Sequence, residues 1–349
     1  MRQPVGSKGV EVSDATPLLT FLQPIQPFLD EEGLTELCIN RPHEIWCEGR
    51  EGWKRHEIAD ERLSFDSLAS GFAKLAASYT KQHIDERQPV LSTTLPGGER
   101  CQIVIPPAVP AGTVSITIRK PSDISLSLDD LNGRGLFANV STTTGNLNDT
   151  DQELIRLKAA HQWPEFFDLA VRSRKNIIVS GSTGSGKTTF SKSLIRCIPD
   201  HERIITIEDA LELEIPPPNH VRMIYSKDGQ GQSTAGPKQL LESCLRMRPD
   251  RILLQELRDG TAFFYLRNAN SGHPGSITTV HANSAALAFE QLTLLVKESE
   301  GGSQIDRDDI RALLVMLIDI VVQIQKFPDG SRKITEVYFD PEKQLGQGM

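Results

Sequence analysis

The residues with the clearest chemical meaning form a glycine-rich stretch near the middle of the chain. Eight consecutive residues satisfy the pattern G-x-x-x-x-G-K-[ST] at every fixed position: Gly181, Ser182, Thr183, Gly184, Ser185, Gly186, Lys187 and Thr188. Glycines let successive backbone amides converge on an anion, and a helix that follows them directs the positive end of its dipole at the same point. The pattern predicts a phosphate-binding loop, because an apolar strand precedes it and an amphipathic helix follows it.

The same loop predicts the ligands ATP and Mg²⁺. Lys187 is expected to reach the β- and γ-phosphates, and the hydroxyl of Thr188 is expected to ligate Mg²⁺. Thr189 completes the expected binding set. Kinases and switch GTPases share such loops, so hydrolysis additionally requires a carboxylate that can polarise water.

Two acidic groups compete for that role. Glu208 lies in the segment 207–212, and Glu256 lies in the segment 253–259, each at the end of a predicted strand. Ligands of open parallel sheets gather at the carboxyl ends of strands, so both side chains are expected to face the phosphates. We expect Glu256 to orient the attacking water and to hold Mg²⁺ through water, with assistance from Glu208. The alternative is that these are ordinary acidic residues at strand ends.

Two histidines, His273 and His281, bracket the segment 274–280. An isolated histidine is more often structural than catalytic, so their types and spacing alone assign no chemistry.

The elements that must position these groups divide the chain into three parts. Residues 1–120 mix a helical stretch at 63–80 with β-like runs at 102–105 and 114–119, which predicts a small α+β domain. Residues 121–150 are rich in Ser, Thr, Asn, Gly and Asp, which predicts a linker. Residues 151–349 begin with an amphipathic helix to about residue 174. The following strands, separated by helices, predict a doubly wound α/β fold with a mainly parallel sheet; they span 176–180, 203–207 and 252–255.

Composition excludes several classes of protein. The formal net charge of −8 and the 6% aromatic content argue against a protein that coats nucleic acid. The five cysteines contain no Cys-x-x-Cys pair, so neither a disulfide framework nor a zinc knuckle is indicated. Residues 1–14 lack the apolar core of a signal peptide, and the apolar run 312–322 is about half the length of a spanning helix. We therefore expect a cytoplasmic protein without a transmembrane segment.

The order of these motifs resembles the type II/IV secretion ATPase superfamily. The resemblance rests on the phosphate loop, the acidic box around Glu208, the segment 244–251 that leads to Glu256, and the segments 271–275 and 279–282. Within the superfamily the chain looks most like the traffic ATPase of type IV secretion and conjugation systems, the VirB-eleven type. The resemblance is densest from residue 176 to residue 283.

The resemblance implies a RecA-like ATPase domain behind a smaller N-terminal domain, in a homohexameric ring that binds nucleotide between the domains. It also implies cytoplasmic location at the bacterial inner membrane, with membrane components of the secretion system, other ATPases and the coupling protein as partners. Its motifs assign roles to residues of this chain in four groups: the Walker B acid Glu256; the Asp box Glu208, Asp209 and Glu212; the His box His273 and His281; and the phosphate-contacting arginines Arg100, Arg119 and, from a neighbouring subunit, Arg246. Surface salt bridges are the alternative for the arginines.

One residue departs from the family pattern. Many relatives carry glycine immediately before the Walker B glutamate, whereas this chain has Gln255. A side chain there could shift the approach of the glutamate to water, which affects the expected rate more than the expected function.

Three other functions stay open from the sequence. A type II secretion or type IV pilus motor shares all four boxes, although assembly motors commonly add a four-cysteine metal motif that this chain lacks. A nucleic-acid translocase would require a basic face with aromatic residues. A nucleotide switch that seldom hydrolyses would keep the loop without turnover.

Overall fold

The chain divides into two compact units. The first comprises Met1–Ser122 together with Asp228–Ala235, and the second comprises Asp123–Lys227 and Gly236–Met349. The structure is a computed structural model that describes residues 12–121, 126–140, 147–226, 233–258, 261–269, 272–299 and 301–347. The second unit differs from the predicted ATPase domain, 151–349, because the segment Asp228–Ala235 belongs to the first unit. Within the first unit, Thr234 N and Thr234 Oγ1 both donate hydrogen bonds to Arg87 O.

The first unit is built on one antiparallel sheet. Its strands are β1 (Glu36–Arg41), β2 (Glu44–Gly49), β3 (Gly52–Glu57), β4 (Val90–Thr94), β5 (Arg100–Val104) and β6 (Ser115–Arg119). They are ordered β3-β2-β1-β6-β5-β4, and every neighbouring pair is antiparallel. The two strands predicted from their β-branched residues are β5 and β6, each within two residues of the predicted bounds.

Helices supply the other half of the first unit's core. They are α1 (Val12–Leu22), α2 (Gln26–Leu29), a 3₁₀ turn (Glu61–Leu63), a π-helical segment (Ser67–Phe72) and α3 (Ala73–Tyr79). The predicted helix at 63–80 is therefore interrupted rather than continuous. Gly71 lies in the π-helical segment, where an added Cβ would stand 2.9 Å from Cε2 of Phe21. This close approach lets α1 pack directly on the segment.

The predicted linker, 121–150, contains a helix. A capping box formed by Ser127 and Asp130 starts α4 (Leu128–Gly133), and none of the side chains of α4 is buried. Residues 141–146, which carry the polar run expected to be linker, lie outside the described residues. The described part of the predicted linker therefore includes a short helix with no buried side chain.

The second unit contains the parallel strands predicted from the apolar runs. Its strands are β7 (Ile177–Gly181), β8 (Ile204–Glu208), β9 (His220–Ile224), β10 (Arg251–Leu254), β11 (Ile277–Val280), β12 (Ile320–Lys326) and β13 (Arg332–Phe339). Three form a sheet ordered β10-β8-β9, and four form a sheet ordered β11-β7-β12-β13. All pairs are parallel except β12 with β13. The unit thus has the α/β, parallel-rich fold expected from the sequence.

The two parallel sheets meet at one place. Among the described residues, the bridge between Glu256, just after β10, and Thr279 of β11 is the backbone pairing that joins the sheets. Leu257 N donates to Thr279 O over 2.8 Å, and Thr279 Oγ1 donates to Gln255 O over 3.0 Å. The carboxyl ends of β10 and β11 are therefore side by side.

Helices cover the parallel sheets. They are α5 (Asp149–Ala159), α6 (Trp163–Arg172), α7 (Lys187–Ile195), α8 (Pro237–Cys244), α9 (Thr261–Ala269), α10 (Ala285–Glu298), α11 (Arg307–Leu317) and α12 (Pro341–Gln347). The predicted single helix from 151 to 174 is wrong. It is two helices, because Pro164 has no amide to donate and therefore fits the first turn of a new helix rather than an interior position. None of the helices in the described ranges has the length and apolar character needed to span a bilayer.

Candidate functional site

The phosphate loop, residues 181–188, connects β7 to α7. Gly181 ends the strand in a tightly packed position, where a Cβ would stand 2.4 Å from Ile324 O and 2.6 Å from Ser185 Oγ. Gly186 has φ 101°, a left-handed conformation that favours glycine, and it caps α7 without a side-chain hydrogen bond. The first amides of α7 therefore lack a side-chain acceptor and face the loop, which is the arrangement that binds anions.

An open pocket of about 310 Å³ lies over this loop. It is lined by Ser182, Gly184, Gly186, Lys187, Thr188, Thr189 and Arg332. Both charged groups in the lining are cations. The pocket therefore matches an anionic ligand.

Lys187 is buried at the base of the pocket and contacts its own loop. Its Nζ donates to Gly181 O over 2.7 Å and to Ser182 O over 3.1 Å. Burial lowers the pKa of Lys187, and the nearby Glu256 carboxylate partly opposes this effect. These contacts hold the ammonium group against the backbone of the loop.

A histidine connects Lys187 to the predicted Walker B acid. Lys187 Nζ lies 3.4 Å from His281 Nδ1, and His281 Nε2 lies 2.7 Å from Glu256 Oε1. Because an ammonium group only donates, Nδ1 is the acceptor and Nε2 donates its hydrogen to the carboxylate. Two side chains hold the main chain after His281, since Ser180 Oγ and Gln323 Nε2 both donate hydrogen bonds to Ala282 O. The structure therefore brings together Lys187, Glu256 and His281 as the motifs predict.

The second oxygen of Glu256 is held by an arginine to which the sequence assigned no role. Arg258 Nη2 lies 2.7 Å from Glu256 Oε2 and 2.7 Å from Asp209 Oδ2. Both oxygens of the Glu256 carboxylate are therefore paired, Oε1 with His281 and Oε2 with Arg258. The sequence could have indicated this contact through spacing, because Glu256 and Arg258 are two residues apart and such residues lie on the same face of an extended segment.

Gln255 does not lie between Glu256 and the phosphate loop. Its Oε1 accepts from Asp209 N over 3.2 Å, and its Nε2 donates to Glu212 Oε2 over 3.0 Å. The glutamine thereby ties the acidic box to the strand that carries Glu256. Glycine at this position would lack both contacts.

The structure contradicts the expectation that Glu208 faces the phosphates. The Glu208 side chain is fully buried and accepts five hydrogen bonds. The donors are Thr206 Oγ1, Arg222 Nε, Arg222 Nη2, Glu212 N and Leu213 N. A carboxylate satisfied in this way cannot contact bulk water, so its position fits a structural anchor for the segment 209–213 better than a catalytic acid.

The structure also separates the two histidines. His273 precedes β11 and His281 follows it, so the length of the strand, about 13 Å at 3.3 Å per residue, lies between them. Burial lowers the pKa of His273, as does the nearby guanidinium of Arg248. The expected catalytic role of His273 is therefore not supported, because it lies at the edge of the sheet opposite the phosphate loop.

The predicted arginines of the N-terminal part lie in the first unit. Arg100 of β5 and Arg119 of β6 are directly opposite each other, and Arg119 is also opposite Glu36 of β1. Arg119 Nε donates to Glu36 Oε1, so the salt-bridge alternative holds for Arg119. Arg100 is exposed and, in the described part of the chain, has no carboxylate within 4 Å. Arg246 is exposed in the turn after α8.

Comparison with known proteins agrees with the motifs. A family profile described as "Type II/IV secretion system protein" matches residues 20–325. The type IV secretion system protein VirB11 of Bartonella henselae is 59% identical over 338 residues, which cover 94% of each chain. The VirB11 protein of Brucella suis is 43% identical over 325 residues, covering 92% of this chain and 89% of that protein.

A solved structure is similar over nearly the whole chain. The crystal structure of the VirB11 ATPase from the Brucella suis type IV secretion system, in complex with sulphate, aligns with a TM-score of 0.90 at 41% identity. The alignment covers 96% of this chain and 98% of that one. Because these relatives are type IV secretion proteins, the alternative of a type II or pilus motor is not favoured. The chain therefore belongs to the type II/IV secretion system protein family, as an ATPase of the VirB11 type.

Proposed function

We propose that this chain hydrolyses Mg²⁺-ATP at the phosphate loop, with Lys187 binding the β- and γ-phosphates and Glu256 orienting the attacking water. The observation that carries the proposal is the chain of contacts from Lys187 through His281 to Glu256. These contacts support the proposal because they link the Glu256 carboxylate, just after β10, to the ammonium group in the anion pocket. The other residues that we assign to ATP binding are the loop residues 181–186, Thr188 and Thr189.

Magnesium fits the residues that are present. Mg²⁺ keeps several waters and needs one or two protein oxygens plus phosphates, rather than a dedicated cage of side chains. The described residues contain no cluster of three or more His, Cys, Asp or Glu side chains suited to a metal. The exposed Thr188 hydroxyl would ligate the ion directly and Glu256 through water. The bound ion would neutralise charge on the β- and γ-phosphates.

The mechanism follows from contacts that nucleotide must replace. Phosphate oxygens would compete with Gly181 O and Ser182 O for the ammonium group of Lys187. When Lys187 turns to the phosphates, the Nδ1 atom of His281 loses its donor. Glu256 stays held by His281 and Arg258, and its remaining lone pairs accept a hydrogen from the attacking water. Glu208 anchors the segment after β8 and has no direct part in hydrolysis.

The wider function extends the family's role to this chain. We propose that the two units correspond to the N-terminal domain and the ATPase domain, and that the chain forms a homohexamer. Its location would be the cytoplasmic face of the inner membrane, with membrane components of the secretion system as partners. The named VirB11 relatives support this assignment. Electron microscopy with and without a non-hydrolysable ATP analogue tests it, because particles that are not sixfold rings would contradict the hexamer.

Phosphate release by purified variants tests the site. Lys187→Ala should bind ATP weakly, whereas Glu256→Gln should keep ATP affinity and lose roughly 10²- to 10⁴-fold in turnover, the usual contribution of general acid–base groups. Lys192→Ala is the matched control, because Lys192 is on the same helix, where it pairs with Glu214 at the surface. Normal turnover in both site variants would show that the site is misassigned. Negligible turnover of the unaltered chain would favour the switch instead.

A further inference from the structure

The first residue of β13 returns to the phosphate loop. In the parallel pairing of β12 with β7, Ile324 lies opposite Gly181, and in the antiparallel pairing of β12 with β13, Lys326 lies opposite Arg332. The turn between β12 and β13 is closed by Phe327 N donating to Ser331 O over 2.8 Å. The main chain of Arg332 therefore lies at the same edge of the sheet as the carboxyl end of β7, where the phosphate loop begins, with β12 between the two strands.

The side chain of Arg332 lies over the loop. Its Nε donates to Gly184 O over 3.1 Å, and its Cδ would stand 3.0 Å from a Cβ added at Gly186. Arg332 lines the open pocket together with Lys187, Thr188 and Thr189. The side chain thus reaches the rim of the pocket from a strand that lies outside the loop sequence.

The guanidinium of Arg332 has N–H groups that are available to bind a ligand. In the described part of the chain, its Nη1 and Nη2 atoms have no protein hydrogen-bond partner, and no carboxylate lies within 4 Å of the guanidinium. A guanidinium with free parallel N–H groups matches phosphate oxygens in geometry as well as in charge.

We propose that Arg332 is a nucleotide-binding residue that contacts the phosphate chain from β13, within the same subunit as the phosphate loop. This inference rests on the proposed function of the loop and adds a second cation to Lys187. The contact with Gly184 O orients the guanidinium, and the free Nη atoms bind phosphate oxygens. A structural alternative is that Arg332 serves only to hold the carbonyl of Gly184.

Three substitutions separate these roles. Arg332→Ala removes both the charge and the loop contact, Arg332→Lys keeps the charge, and Arg332→Gln keeps a donor for Gly184 O without the charge. The matched control is Lys333→Ala, because Lys333 is the next residue, is also exposed, and places its ammonium group 5.4 Å from the ring centroid of Phe327. Thermal unfolding checks that each variant folds.

Isothermal titration calorimetry with Mg²⁺-ADP and with AMP, at two salt concentrations, provides the measurement. Loss of a charge-assisted phosphate contact should weaken ADP binding about tenfold in Arg332→Ala and Arg332→Gln. Arg332→Lys should recover part of the loss, and the salt dependence of ADP binding should fall with the lost charge. AMP binding should change less than ADP binding, and Lys333→Ala should bind as the unaltered chain does.

Several results would overturn the inference. ADP affinity that survives in Arg332→Gln but not in Arg332→Ala would assign Arg332 to holding the loop, and unchanged affinity in all three variants would remove it from the site. Lys187→Ala distinguishes this from failure of the proposed function. If Lys187→Ala abolishes ADP binding while the Arg332 variants bind normally, only the role of Arg332 is refuted, whereas unchanged binding in Lys187→Ala refutes the site itself.

Discussion

Glu208 offers a sharp test, because the sequence suggests catalysis and the structure indicates anchoring. In Glu208→Gln, the amide replaces one carboxylate oxygen, and five donors then face a group with a single acceptor atom. In the better of the two orientations, the NH₂ group of the glutamine takes the place of Oε1, which accepts from Thr206 Oγ1 and Arg222 Nε in the unaltered chain. The Thr206 hydroxyl can rotate and accept a hydrogen bond from this NH₂ group, but Arg222 Nε can only donate and therefore loses its partner. Arg222 Nη2 and the two main-chain amides then bond to a neutral oxygen instead of a charged one.

The size of the effect follows from these contacts. An unsatisfied buried donor costs about 1–3 kcal/mol, and exchanging a charged acceptor for a neutral one costs roughly 1 kcal/mol per bond. Arg222 is 22% exposed in its side chain, so water recovers part of the loss. We therefore expect Glu208→Gln to lower the free energy of unfolding by about 3 kcal/mol, which lowers the unfolding midpoint by roughly 6–12 °C in a unit of this size.

Thermal unfolding and steady-state ATPase assays, the latter well below both midpoints, test this expectation. Turnover of folded Glu208→Gln should stay within about twofold of the unaltered chain, because the carboxylate contacts no water. Glu214→Gln is the control, since Glu214 is an exposed carboxylate paired with Arg196 and Lys192, and its midpoint should not change. An unchanged midpoint combined with a hundredfold loss of turnover in Glu208→Gln would refute the reasoning and would indicate that Glu208 takes part in hydrolysis.

Four further outcomes are expected. Gly181→Ala should reduce the yield of folded protein, because its Cβ would overlap a backbone carbonyl at 2.4 Å, and an unchanged unfolding midpoint would contradict the packing. Arg258→Ala should lower kcat at least about tenfold with little change in KM, because Glu256 loses one of its two restraints; a change confined to KM would argue against positioning. Arg100→Ala should lower kcat by about 10³-fold if it neutralises transition-state charge, while single-turnover assays that show no effect would leave it a surface residue. Because burial lowers the pKa of Lys187, ATP affinity should decline as pH rises through a range below the ordinary 10.5, and Lys187→Arg should show no such decline, since arginine stays protonated.

The phosphate loop was predictable because its physics is local. Gly181, Gly186 and Lys187 act through the conformation of a few adjacent residues, so the pattern alone specifies the strand, the turn and the helix. The three parallel strands predicted at 176–180, 203–207 and 252–255 were also found, because apolar runs bounded by turns are typical of buried strands. Their bounds shifted by only a residue.

Residues whose roles depend on distant partners were harder to predict. The acidic box gave no sign that Glu208 pairs with Arg222, which lies on the next strand, and so its burial was missed. The family pattern pairs His273 with His281, yet only the strand between them shows that they occupy opposite edges. Arg332 follows an ordinary turn, and its place at the pocket depends on the register of two strand pairs.

The join between the two parallel sheets has a mechanical consequence. Glu256 belongs to the sheet that contains β10, whereas the phosphate loop belongs to the sheet that contains β7, and the described backbone pairing between them is one bridge at Thr279. Sliding one sheet past the other would break only the few hydrogen bonds at this join, while the ladders inside each sheet resist the same force with many. A small shift of one sheet relative to the other would therefore change the separation between Glu256 and the phosphate loop.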